Sequence, residues 1–320
     1  MSNFLKLVYN ELTKTYIRKS TWVMYILLAG IIIGGAVLTS TFDDTGEEYD
    51  TEDWREVLQE ENEALTKENK AADEEDAFII DINTDTIEKN NYYLENDIQP
   101  TSFGAWQYVL DNKGLLSIVS LLTIIIAAGI VANEFRWGTI KLLLIRPISR
   151  TKILTSKYIA VLLFALFTLL FVLIFSWIIG ALFFGLEGLN PHIVIQEDGN
   201  YAYVSVIKEI LSGYGYKLIN LVMMTTFAFM ISTIFRNSSL AIGTAIFLMM
   251  AGNSIVGIFA ERSFAKYILF ANTDLEQYAT GNVLIEGMTL GFSITVLLIY
   301  YIVFVVLAWI FFAKRDVAGQ

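Results

Sequence analysis

Six stretches of this chain are each long enough and apolar enough to cross a lipid bilayer as a helix, at residues 21–40, 114–133, 155–184, 214–235, 240–260 and 288–313. This feature restricts the fold more than any other. About 20 apolar residues in helical form span roughly 30 Å of hydrocarbon, and inside hydrocarbon the backbone must satisfy its own hydrogen bonds. Of 320 residues, 55% are apolar and 17% charged, against about 25% charged in soluble domains. The first stretch is too long for a cleaved leader and no small-x-small site follows it, so it reads as an anchor. The predicted fold class is an all-α integral membrane protein with six transmembrane helices in the cell membrane.

Basic residues set the expected orientation. Lys6, Lys14, Arg18 and Lys19 precede the first stretch; Arg136, Lys141, Arg146, Arg150, Lys152 and Lys157 are assigned to the loop between the second and third; Arg236 lies between the fourth and fifth; Lys314 and Arg315 follow the sixth. With six spans these 13 of the 22 Lys and Arg fall on one side, and the positive-inside rule makes that side cytoplasmic, with both termini. The net charge of −11 hides this arrangement, because residues 41–113 hold 22 Asp and Glu against 5 Lys and Arg, leaving +6 on the rest. Such an acidic insertion repels phosphate backbones, so nucleic acid is excluded as its partner.

Between the spans the pattern predicts structured loops. Residues 1–20 place Phe4, Leu5, Val8, Leu12 and Tyr16 on one helical stripe, as in a cytoplasmic helix lying along the membrane surface. The insertion at 41–113 is expected outside the cell, with an amphipathic helix over 51–76 and a second over 85–97 ended by Pro100. In the outer loop 185–213, Asp198-Gly199 between two β-prone runs predicts a two-residue hairpin. The outer loop 261–287 reads as interfacial helical pieces. Residues 314–320 form a cytoplasmic tail.

Several chemistries are excluded by composition. Cysteine is absent, which removes disulfides, thiol nucleophiles and Cys-ligated metals, and His192 is the sole histidine. No Gly-Lys-Ser or Gly-Lys-Thr occurs, so the chain lacks a phosphate-cradling P-loop. Leu211-Ser212-Gly213-Tyr214-Gly215 only partly matches an ABC signature and lies on the outer side. Few ionisable groups fall within the spans, which argues against ion-coupled transport. The polar Asn220, Thr225, Thr226 and Asn253 mark a candidate substrate path, with interhelical packing as the plainer alternative. No catalytic, cofactor-binding or metal-binding residue is predicted, and the chain is not expected to be an enzyme.

The most informative segment is residues 134–150, EFRWGTIKLLLIRPISR. Gly138 permits a turn, Thr139 can cap a short helix whose apolar side carries Leu142, Leu143 and Leu144, Pro147 ends it, and Ser149 can cap the third span. A short basic and apolar helix at the cytoplasmic surface is the expected product.

This segment resembles the signature of ABC-2 type transporter permeases, in which a Glu is followed by Gly-Thr, several leucines and Pro-x-Ser-Arg. The resemblance extends in outline to the whole chain, from the N-terminal amphipathic helix through six spans to the Phe311-Phe312-Ala313-Lys314-Arg315-Asp316 ending. It implies that residues 134–150 form a coupling helix seated in an ATPase groove, with Glu134, Arg136, Gly138, Thr139, Leu142, Leu143, Pro147, Ser149 and Arg150 as coupling residues. It further implies two copies of a separate ABC ATPase that bind ATP and Mg, a second permease copy or paralogue, and a hydrophobic or amphipathic exported substrate such as an antimicrobial peptide or lipid-like compound. The alternative is a non-transporting membrane partner that relays ATPase motion as a mechanical or sensory signal.

Overall fold

The computed structural model describes residues 3–42, 53–72, 77–140, 148–186, 188, 191–197 and 200–314. Among them, six helices are long and apolar enough to cross a membrane: Lys19–Phe42, Ala105–Arg136, Arg150–Phe184, Val206–Phe235, Ser238–Ile258 and Leu290–Ala313. In chain order the elements are α1 (Asn3–Tyr16), α2 (Lys19–Phe42), α3 (Trp54–Ala71), α4 (Ala77–Glu95), α5 (Ala105–Asp111), α6 (Leu116–Arg136), α7 (Arg150–Phe184), β1 (His192–Glu197), β2 (Asn200–Ser205), α8 (Val206–Phe235), α9 (Ser238–Ile258), α10 (Leu269–Thr273) and α11 (Leu290–Lys314).

The spanning helices are longer than the apolar runs alone. The second begins at Ala105 because the Gln107 side chain accepts the Gly104 N–H at 2.7 Å, and a 3-10 turn over Asn112–Leu115 carries the chain on into α6. The third begins at Arg150, where the Ser149 hydroxyl accepts the Lys152 N–H at 3.4 Å, the cap expected of that serine. The fourth is one unbroken helix from Val206, which carries the chain from the hairpin straight into the span; its Gly213 lies buried against the aliphatic stem of Lys113. α4 starts at Ala77, eight residues before the expected helix, and ends where Asp97 turns left-handed at φ 55° and the Ile98 N–H reaches back to the Tyr93 carbonyl.

Helices α6 and α8 form the centre. They pack on each other, α11 and α9 lie against α8, and α7 lies against α1, α2, α5 and α6. One buried cluster joins Ile124, Val131, Val161, Phe164, Met224 and Phe229, and a second joins Leu28, Val109, Val119, Val172, Ile210 and Leu221. At Gly180 a side chain would meet the Ala105 backbone within 3.0 Å, so glycine lets α5 lie directly on α7. By contrast α2, α9 and α11 leave much of their apolar surface exposed, with Trp22, Ile26, Met250, Leu298 and Ile302 all outward. Helix faces of that kind are soluble only in lipid or against another chain.

Beyond the bundle, α3 and α4 form a hairpin that closes over Trp54, Leu58, Tyr93 and Val194. Strands β1 and β2 pair antiparallel from His192↔Ser205 to Glu197↔Asn200, the register that a two-residue loop at 198–199 imposes. That loop itself lies outside the described residues. The segment after α9 contains helical pieces at Ala265–Tyr267, Leu269–Thr273 and Glu276–Tyr278, as expected.

Glu276 receives Lys113 Nζ at 2.5 Å and Lys217 Nζ at 3.2 Å, tying this segment to the 3-10 turn after α5 and to α8 three turns from its start. Burial works to raise its carboxyl pKa, but the two ammonium groups outweigh burial and hold it below the ordinary carboxylate value. A depressed carboxylate contributes stability above its unfolded pKa and loses it as pH falls through the folded one. Acidification below about pH 4 should therefore lower the melting temperature of the wild type more than that of Glu276→Gln in parallel thermal scans.

Candidate functional site

At the end of α6 the structure joins Glu134, Lys14 and Lys157, which the sequence named separately, with Glu11, which it did not single out. Helix α1 turns Val8, Glu11 and Thr15 inward, with Leu12 and Tyr16 packed on the core, while Leu5 faces out at 51% exposure. Its inward face is thus rotated from the expected stripe and includes a carboxylate. Three hydroxyl contacts pin the helix: Thr21 donates to the Thr15 carbonyl at 2.6 Å, and the Tyr16, Tyr25 and Thr168 hydroxyls form a chain with spacings of 3.0 and 2.9 Å.

Glu11 faces Lys157 of α7, whose Nζ lies 2.7 Å from Glu11 Oε2 and 3.1 Å from Glu134 Oε1 at the end of α6. Lys14 closes the ring at 2.8 Å from Glu11 and 3.3 Å from Glu134. Lys157 is 1% exposed, Glu11 7% and Glu134 13%. Two ammonium groups alternating with two carboxylates leave a net charge of zero, which is what permits such burial. Burial disfavours the Lys14 ammonium, yet Glu11 and Glu134 hold its pKa above the ordinary lysine value. Lys157 corrects the expectation that the spans carry almost no ionisable groups: it sits two turns into α7, not in the loop.

The motif continues directly from this ring. The Thr139 hydroxyl donates to the Glu134 carboxylate, which ties the motif to the ring, while the backbone it was expected to cap lies outside the described residues. Gly138 adopts φ 70° with open space where a side chain would stand, and its N–H bonds the Phe135 carbonyl at 3.1 Å. This is the glycine-dependent turn expected there. Trp137 is 61% exposed with Arg18 over its ring, and Arg236 lies over Phe135. Arg136 is exposed beside them. Residues 141–147, with Leu142, Leu143 and Pro147, lie outside the described residues. Beyond them, Ser149 caps α7 and Arg150 donates to the Ala313 carbonyl at 3.1 Å, binding the return of the motif to the last helix.

The candidate path residues are not drawn together. Thr226 is buried and its hydroxyl bonds the Val222 carbonyl and Tyr158; Thr225 is buried with no hydrogen-bond partner among the described residues. Asn220 is half-buried, and Asn253 is exposed on α9. Among the described residues no group of three or more His, Asp or Glu could hold a metal ion.

What the ring can do is mechanical. It joins α1, the α6 end that starts the motif and the α7 helix that follows it, so displacement of the motif pulls on two further helices through charged contacts. Glu11 could have been found from sequence as a lone carboxylate at helical spacing from Val8 and Thr15. Lys157 could not, because a lysine near a span end ordinarily extends its charge to the membrane surface.

Comparison with known proteins places the chain among relatives. It is 45% identical over 320 residues to the Bacillus subtilis protein named uncharacterized protein YhcI, covering 98% of this chain and all of that one. It is 35% identical over 213 residues to the uncharacterized membrane protein YdbK of the same organism, covering 66% of this chain and 82% of the relative. The name of the second agrees with the six apolar helices, and the chain is a membrane protein. A family profile described as protein of unknown function (DUF2705) matches residues 77–318, from α4 to the end of α11. With three quarters of its length matched, the chain belongs to the DUF2705 family.

Proposed function

We propose that this chain is the membrane-spanning subunit of an ABC-2 type exporter, acting as a pair of such subunits with two copies of a separate ATPase that binds ATP and Mg. The observation that carries the reading is the charge ring at the root of the 134–150 motif, with Glu11 and Lys157 buried, Glu134 largely so and Lys14 closing it from the partly exposed side. A loop that served only to set orientation would need positive charge; it would need neither a neutral buried ring nor a left-handed turn at Gly138. In this account ATP-driven closure of the ATPase pair displaces residues 138–149, and the ring passes that displacement to α1 and α7. Hydrolysis belongs to the partner. The exposed Asn253 on α9 supports a second copy, since an amide facing hydrocarbon is costly unless another helix receives it.

A second reading has its own support. The α3–α4 unit packs on Val194, and the Val194 N–H donates to the Tyr93 hydroxyl at 3.1 Å. Strand β2 then enters α8 without a loop. A load on the acidic insertion would reach the central helix directly, as a non-transporting mechanical or sensory partner of an ABC ATPase requires.

Both readings share one topology, with Asp53 and His192 outside and Lys141 and Arg236 in the cytoplasm. The Cys-free chain allows single cysteines at these positions to be probed in intact cells with an impermeant thiol reagent. Labelling at 53 and 192 only is expected, and labelling at 141 without 53 would overturn it. Transport of a labelled amphipathic peptide or lipid into inverted vesicles, dependent on ATP and on the copurified ATPase, separates the exporter from the relay.

A further inference from the structure

Helices α7, α8 and α11 enclose an apolar cavity whose lining includes Thr226 of the candidate path but not Asn220, Thr225 or Asn253. Its volume is about 220 Å³, and its walls include Leu154, Phe229, Phe304, Ala308 and Trp309. Apolar cavities of about 150 Å³ stay dry and take up small apolar molecules. Its polar floor is already satisfied: the Tyr158 hydroxyl pairs with Thr226 at 2.7 Å and Tyr301 at 3.2 Å. Nothing inside asks for a polar ligand.

The cavity opens sideways, not into the bundle. Val306 and Trp309 line it and are 44% and 42% exposed, on a helix whose neighbouring Ile302 and Val303 are exposed as well. Trp309 is held at the rim by its indole N–H, which donates to the Thr151 hydroxyl at 3.0 Å in the first turn of α7. That turn also carries Lys152, exposed one position around the helix, and Arg150, half-buried beside it. An apolar slot within the membrane, open to lipid, with an indole at its rim tied to a helix turn that carries basic residues, has the layout of a phospholipid: chain in the slot, headgroup at the basic turn.

We infer that this cavity holds one acyl chain of an anionic phospholipid from the leaflet nearest the chain termini, with its headgroup at Lys152. The inference is independent of the ATPase reading, since it concerns this chain in a bilayer with or without a partner. An indole at the rim supplies the probe. The purified full chain is placed in zwitterionic vesicles containing a rising fraction of anionic phospholipid brominated on its acyl chains. Trp309 emission is obtained as the difference between wild type and Trp309→Phe, and emission of the lipid-facing Trp22, 59% exposed near the same end of the bundle, as the difference from Trp22→Phe.

Trp309 should be half-quenched at about a fivefold lower brominated fraction than Trp22, the preference that one basic side chain confers beside an anionic headgroup. Lys152→Gln should remove that preference, and Ala308→Leu, which fills the slot, should bring the Trp309 curve onto that of Trp22. Because Lys152 is exposed, its variant keeps the test valid if Ala308→Leu fails to fold. Parallel quenching of the two indoles in wild type, or equal quenching of Trp309 by brominated zwitterionic lipid, would overturn the proposal.

Discussion

Replacing Lys157 with methionine is expected to destabilise the folded chain by about 3–5 kcal/mol, the cost of removing one member of a buried ion pair. Glu11 at 2.7 Å and Glu134 at 3.1 Å both depend on this ammonium. Without it two carboxylates share Lys14, which is 40% exposed and weakened as a partner by solvent. The penalty should fall when the orphaned charge is removed with it. Lys157→Met combined with Glu11→Gln should therefore be less destabilised than the sum of the single variants, by about 0.5–3 kcal/mol of coupling. Unfolding in detergent, followed by helicity, measures all three. A Lys157→Met chain within about 0.5 kcal/mol of wild type, the range of ordinary surface substitutions, would show that the ring contributes nothing to the fold.

Gly138→Leu is expected to weaken ATPase association about tenfold, because a left-handed turn costs a side-chain-bearing residue about 1–2 kcal/mol. The structure separates conformation from bulk at this position, since a side chain on Gly138 would meet no atom within 4 Å while φ stands at 70°. Asparagine tolerates that φ better than other residues. Gly138→Asn should retain most of the association lost in Gly138→Leu, measured as ATPase recovered per chain at matched membrane levels. Equal recovery in wild type and both variants would separate the turn from the partner.

How much of this was legible in the sequence follows from which physical signal each feature leaves. Six spans were legible because hydrocarbon demands long apolar runs, and the hairpin because Asp198-Gly199 interrupts two β-prone segments. Span starts were less so. Stretches such as Ala105–Asp111 and the first two turns of α8 mix apolar and polar residues, so they belong to the spanning helices through packing and not through an unbroken apolar run. In the motif, Gly138 and Ser149 stand as expected because each role is local to the backbone. The bond from Thr139 to Glu134 left no such local signal, because that carboxylate becomes available only where α6 ends beside it. The ring escaped for the same reason: Glu11, Glu134 and Lys157 are far apart in sequence and meet only when α1 docks on α6 and α7. Asn220, Thr225, Thr226 and Asn253 were grouped by polarity, but helix rotation sends them to different surroundings.

The most direct test of the account is a contact between the motif and an ATPase. Since the chain has no cysteine of its own, Ser149→Cys introduces a single thiol at the exposed cap of α7, and Tyr203→Cys places one on the β-hairpin as a control. Each variant, carrying a short bifunctional cross-linker, is purified from native membranes and its adducts identified by mass spectrometry. An adduct with an ABC ATPase from position 149 that ATP and Mg alter, and none from position 203, is the expected result. Adducts with an ATPase from 203 but not 149, or no ATPase adduct from 149 with or without nucleotide, would contradict it.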